Sequence, residues 1–204
     1  IVAAVAESSA KTAEKPTKQS SRGSAGTRGK SPPKRRSTGK AANEKLVKAY
    51  LAAFHSHDVE GMGERIHEDA IWDVVPLGIM RGRDEVMDFE RAVIAALPDL
   101  EVITERVVAD TGRVAAEWRM RGTFTGAPFQ GIEATGRSIE LRGFDLFEVE
   151  RGKIKRNTAY YDGAAFARAI GLLPPQDSGA EKAMTGAFNA ATKVRKGIAD
   201  LRGR

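Results

Sequence analysis

The sequence predicts an α+β domain, and three observations carry that prediction. Between residues 43 and 97 apolar residues recur at helical spacing in separate runs. From residue 100 the pattern changes to strict alternation, the period of a strand with one buried face. Turn sequences, Asp110-Thr111-Gly112 and Arg151-Gly152, punctuate the alternating part, so its strands are expected to run antiparallel. Helices first and strands afterwards point to segregated α+β packing.

Taken in order, residues 1–42 are rich in Ser, Lys, Arg, Gly, Ala, Thr and Pro. From residue 8 they hold no aromatic residue and almost no large aliphatic one, too little apolar area to offset the entropy of ordering. This segment is expected to be a disordered tail. Its basic run Ser31-Pro-Pro-Lys-Arg-Arg36 suits weak, sequence-independent nucleic-acid contact or simple solubilisation. The folded domain is expected over 43–175. Leu46, Tyr50, Ala53 and Phe54 predict a helix over 43–56 with Asn43 as its N-cap. Asp58 caps a second short helix, Ala70–Val75 reads as a strand, and Val86, Phe89, Val93 and Leu97 form the stripe of a third helix. His55 and His57 stand two apart, on different helix faces, which argues against a metal pair.

Strands follow over 100–109 and from Arg113, the latter with Val114, Ala116, Trp118 and Met120 in an apolar row. The run 122–136 is rich in Gly and Pro and reads as a long loop. Two further strands flank Arg151-Gly152, and a short helix runs from Gly163 to Ile170. Beyond a polar break, 176–204 forms a linker and a C-terminal amphipathic helix expected to pack on the domain or on a second subunit.

Charge is unevenly spread. Residues 1–43 hold ten Lys/Arg against two Asp/Glu and residues 176–204 six against three, whereas 44–175 hold 17 against 22. The net charge of +6 therefore resides in the ends. The absence of cysteine excludes disulfides, thiolate metal sites and thiol nucleophiles. No apolar run reaches the length of a membrane span, and the opening Ile-Val-Ala-Ala-Val-Ala is too short for a signal-peptide core. No membrane association is expected, and a cytoplasmic location is.

Two carboxylates stand out. Alternation puts Ile139, Leu141, Gly143, Asp145, Phe147 and Val149 on one strand face, apolar except for Asp145. Such an acid is paired, protonated or functional. Arg119 and Arg142 fall on the opposite face by the same parity, which makes Asp145 a cavity candidate. In the next strand Ile154, Thr158, Tyr160 and Asp162 share a face, with Asp162 at its exit. Asp162 is also well placed to cap the helix that begins at Gly163. Trp72, Trp118, Met120, Phe124, Phe147 and Tyr160 are expected as pocket wall or core, with Asp73 and Thr158 as further contact candidates.

The segments Gly-Thr-Phe-Thr-Gly (122–126), Ala-Thr-Gly-Arg-Ser-Ile-Glu-Leu-Arg-Gly-Phe-Asp-Leu-Phe (134–147), Arg-Gly-Lys-Ile (151–154) and Tyr-Tyr-Asp-Gly-Ala-Ala-Phe-Ala-Arg-Ala-Ile-Gly (160–171) resemble the nuclear transport factor 2 superfamily. With His-Glu-Asp-Ala-Ile-Trp-Asp-Val-Val-Pro (67–76) and Arg-Gly-Arg-Asp-Glu-Val (81–86) they look like its SnoaL-like polyketide cyclase and ester cyclase branch, over about 44–173. The resemblance implies a cone-shaped curved antiparallel sheet and three helices around an apolar pocket. It also implies a homodimer through the outer sheet face, and ring closure of a small apolar carbonyl compound without cofactor or metal. Asp162 matches the family's acid/base aspartate. The His-Trp pair that precedes it in many members is replaced here by Asn157-Thr158. Asp145 matches the protonated aspartate of the related ketosteroid isomerases, while the isomerase base falls nearer Val74 than Asp73. A non-catalytic binding or dimerisation module, or a protein acting on nucleic acid through its tail, are the alternative readings.

Overall fold

The computed structural model describes residues 39–75 and 77–202. The expected disordered tail lies outside these residues, except that order begins earlier than Asn43. Helix α1 spans Lys40–His55 and starts at Gly39. Asn43 is therefore no cap: it is fully buried and its amide donates to the Asp110 carbonyl at 3.4 Å. There follow α2 (Val59–Arg65), β1 (Ile66–Val75), β2 (Gly78–Arg81), α3 (Arg83–Ala96), β3 (Glu101–Asp110), β4 (Arg113–Thr123), β5 (Ser138–Glu150), β6 (Lys153–Tyr161), α4 (Gly163–Ala169) and α5 (Gly179–Arg202). Asp58 caps α2 as expected, accepting from the Gly61 amide. His55 and His57 act as struts to the start of β3. The first accepts from the Val102 amide at 3.2 Å, and the ring of the second lies 3.0 Å from the Leu100 carbonyl.

The six strands form one curved sheet in the order β2-β1-β6-β5-β4-β3. Its long hairpins are antiparallel, but β1 runs parallel to β6, so the sheet is mixed. This corrects the expectation of a purely antiparallel sheet. Strands far apart in the chain lie side by side here without the hairpin that forces antiparallel pairing. The strand β2 was also not anticipated, because its four residues carry no alternation.

One face of the sheet is covered by α1 and α3. Val47, Tyr50, Leu51 and Phe54 of α1, and Val86, Glu90 and Val93 of α3, recur at three- and four-residue intervals and are all buried. They meet Val114, Ala116 and Trp118 of β4 and Leu141, Asp145 and Phe147 of β5 in one core. The opposite face carries ion pairs: Arg119 and Arg142 both reach Glu105, at 2.6 and 3.2 Å, and Arg121 reaches Glu101. Those arginines are thus engaged away from Asp145, as parity predicts.

Parity fails in β6. Val149 pairs with Ile154 but Glu148 pairs with Arg156, leaving Lys155 as an extra residue. This bulge inverts the alternation downstream. Asn157 and Ala159 are buried, whereas Tyr160 is 52% exposed and Thr158 sits on the same outward side. The helix α5 is nearly all exposed, with Phe188 at 67% and Leu201 at 77%. Among the described residues, none covers the apolar side of this helix. Its first turn is fixed by the Ser178 hydroxyl, which accepts from the Glu181 amide, and by an Arg168–Glu181 ion pair of 2.9 Å.

Candidate active site

The concave face of the sheet, α1, α3, α4 and the 124–137 loop enclose a cavity of about 110 Å³. That is far more than the roughly 10–15 Å³ one water needs. Its wall is apolar and aromatic apart from two carboxyl groups and their partners.

The first carboxyl is Asp145, 7% exposed. The Trp118 indole donates to its Oδ1 at 2.9 Å and the Asn157 amide donates to its Oδ2 at 3.0 Å. Trp118 reaches it across Gly143, its cross-strand partner. A Cβ on Gly143 would lie 2.1 Å from the indole ring, so only glycine leaves that path open. Burial pushes Asp145 up to about 6, against the two hydrogen bonds that favour its charged form.

The second carboxyl is Glu90 of α3, 4% exposed. The Tyr50 hydroxyl and the Trp72 indole both donate to its Oε1, at 2.6 and 3.1 Å. Burial raises it to about 7, opposed by those two hydrogen bonds and reinforced by the charge of Asp145. Tyr50 in turn is pushed well above its ordinary value by burial and by Glu90. Tyr50 packs edge-on against Trp72 and Phe147, with ring centres 6.0 and 5.8 Å away. That packing fixes the hydroxyl that holds Glu90.

The rim is a chain of aromatic rings. Phe129 lies 6.1 Å from Phe89 and 6.4 Å from Phe166, which lies 6.3 Å from Tyr161. Phe129 is delivered by the long loop, whose Gly126 and Ala127 amides donate to the Ala96 and Ala95 carbonyls at the end of α3. These bonds satisfy carbonyls that a helix end leaves open. Burial also pushes the Tyr161 hydroxyl to about 12.

Of the residues singled out from the sequence, Asp145, Trp72, Trp118, Met120 and Phe124 line this cavity. Phe147 is fully buried core beneath Tyr50. Asp73 alternates with the buried Trp72 and Val74 and so faces away, paired in register with Thr158. Thr158 and Tyr160 are turned outward by the β6 bulge. Asp162 does not face the cavity. It is exposed, and its Oδ1 accepts from the Ala164 and Ala165 amides at 2.9 Å each, as the N-cap of α4. The expectation that it lines the pocket is corrected for the same reason: the bulge moves the end of β6 by one position.

The residues not anticipated are Glu90, Tyr50 as its partner, Asn157 and Tyr161. For Glu90 a signal existed. It stands at four-, three- and four-residue spacing between Val86, Val93 and Leu97, a carboxylate on an apolar stripe. Strand parity placed Asn157 outward, and its signal was of another kind, its standing where many family members carry the histidine of the His-Trp pair. Among the described residues no cluster of three or more His, Cys, Asp or Glu side chains is arranged to hold a metal ion. No helix there is long and apolar enough to cross a membrane.

A curved α+β sheet closed by helices around an acid-bearing apolar cavity defines a class of small pocket proteins. Within that class the chain belongs to the SnoaL-like polyketide cyclase family, whose model matches residues 44–170. Among curated proteins none matches in sequence. A Jannaschia sp. CCS1 protein assigned as a SnoaL-like polyketide cyclase has a similar structure, with a TM-score of 0.62 and 20% identity, covering 68% of this chain and 98% of that one. AclR from Streptomyces galilaeus, assigned as a hydroxylase, gives a TM-score of 0.60 at 18% identity over 81% of this chain and 99% of its own. IdmH from Streptomyces antibioticus, assigned as a polyketide cyclase, gives 0.53 at 24% over 62% and 96%. At these identities the likeness is one of fold.

Proposed function

We propose that the protein is a cyclase- or isomerase-type enzyme that moves protons on a small, largely apolar carbonyl compound, with Asp145 and Glu90 as its base and acid. The observation that carries this reading is the pair of buried carboxyl groups, both raised well above their ordinary values, in one apolar cavity. Carboxyl groups raised into the neutral range can both take and give protons there, and two in one cavity can divide the base and acid roles between them. Family membership supports the reading, since the family is described as polyketide cyclases.

Between about 6 and about 7 Asp145 is ionised and Glu90 protonated. Asp145 accepts the proton from the carbon beside the carbonyl, and the C–H electron pair moves toward the carbonyl oxygen. Glu90 gives its proton to that oxygen, which yields an enol and leaves Glu90 ionised. In a substrate with a second carbonyl, the enol carbon bonds to that carbonyl carbon. The new alkoxide is protonated by Asp145, now an acid, and the enol proton returns to Glu90. The apolar wall limits competition by water and holds the two reacting carbons together.

Deuterium exchange at the α-carbon of small cyclic ketones and β-keto esters, followed by NMR in D2O, tests this. Exchange above the buffer rate is expected for at least one compound, with a rate that rises through about 6 and falls through about 7. Asp145→Asn and Glu90→Gln are each expected to lower it about 100-fold or more. Exchange that never exceeds the buffer rate, or that both variants retain in full, would defeat the proposal.

A further inference from the structure

We infer that the cavity selects a carbonyl compound that also carries an organic ammonium group, held among aromatic rings with its charge near Glu90 and Asp145 and an N–H donor on the Asn157 side-chain oxygen. This deepens the reading above by naming a charge on the substrate, and it rests on the cavity being a ligand site.

Tyr50 and Trp72 spend their donors on Glu90, and Trp118 and the Asn157 amide spend theirs on Asp145. Asn157 presents a further acceptor, since its Oδ1 is buried without a partner. Its orientation is set by the carboxylate on its amide nitrogen. The cavity therefore offers a ligand acceptors, with Tyr161 the remaining hydroxyl in its wall.

Charge points the same way. Among the described residues, no Lys, Arg or His lines the cavity, so none of them pairs the two carboxyl groups in this low-dielectric space. The nearest candidates by sequence, Arg119 and Arg142, are held on the other sheet face by Glu105. A buried charge is tolerable when paired. A carboxylate ligand would add to the repulsion, and a carbonyl group, which can take the Glu90 proton, leaves the charge of Asp145 unpaired. An ammonium brings donors and the missing positive charge. The indoles of Trp72 and Trp118 and the rings of Phe124, Phe129 and Tyr161 in the same wall suit a cation, whose charge is attracted to aromatic faces.

The test compares benzylamine, benzyl alcohol and benzoate, probes of one shape and three charges, by calorimetric titration of the full chain at pH 8. Benzylamine is expected to bind about tenfold or more tighter than benzyl alcohol, from charge-assisted hydrogen bonding alone, and benzoate weakest. At pH 5, below the values of about 6 and about 7 for the two acids, the preference should collapse. It should also collapse in the Glu90→Gln, Asp145→Asn double variant while benzyl alcohol still binds. Equal affinity for benzylamine and benzyl alcohol at pH 8 would overturn the inference and leave the ligand-site reading standing. So would a preference that survives in the double variant. Failure of all three probes to bind would overturn both.

Discussion

Glu90 receives Tyr50 and Trp72 on the same oxygen, Oε1, while Asp145 receives Trp118 and Asn157 on opposite oxygens. Burial raises both acids despite those hydrogen bonds, and the charge of Asp145 acts further on Glu90. Asp162 shows the contrary case. Its carboxylate is satisfied by two backbone amides at the start of a helix, in solvent. Asp162→Ala is expected to cost about 1 kcal/mol of stability in urea unfolding, with cavity-ligand affinity lowered only through the looser seat of Phe166 on α4. A variant that unfolds like the parent yet binds nothing would contradict this assignment. Asp145 was legible in the sequence because a lone acid interrupted an alternating apolar row. Glu90 was equally legible by the same logic at helical spacing. Asn157 was not, since a single inserted residue decides which way it points.

At the scale of elements, the site depends on where backbones come close. Gly143 lets the indole of β4 lie over β5, and Gly126 lets the long loop touch the end of α3, with Ala95 O only 1.9 Å from where a Cβ would stand. Gly143→Ala is expected to push Trp118 off Asp145, with a cost of about 1–3 kcal/mol for overpacking. Its specific signature is a further rise in the Asp145 pKa, because a hydrogen bond that favours the charged form is lost. An unshifted Asp145 titration in that variant would show that Trp118 keeps its bond by another route. The order of helices and strands was readable from periodicity, since each long element buries one face. The bulge at Lys155 and the parallel contact of β1 with β6 were not. Both are set by tertiary closure, for which local sequence carries no period.

For the whole molecule, the two buried acids make stability depend on pH in an unusual direction. A carboxyl raised in the folded state keeps a proton that the unfolded chain has already released. Its contribution is present below the unfolded value and lost as pH rises through about 6 and about 7. The carboxyls of Asp99, Glu105 and Asp110, outside the cavity, are held low by hydrogen bonds and arginines, and their contribution is lost in the other direction, as pH falls below about 4. Stability of the domain is therefore expected to peak near pH 5 and to decline by a few kcal/mol, in order of magnitude, toward pH 8. Urea midpoints across that range should show the decline in the parent and a flatter curve in Glu90→Gln. A parent curve that rises to pH 8 would refute the sign. The fold tolerates this cost at the one place where it builds a pair of poised acids. The most direct measurement of that claim is carbon-13 NMR titration of the side-chain carboxyl groups in the full chain. Two resonances are expected to titrate near 6 and near 7, assigned by their loss in Asp145→Asn and Glu90→Gln. If both groups instead titrate near 4 with the other carboxyls, the cavity holds no poised acid/base pair and the proposed chemistry fails.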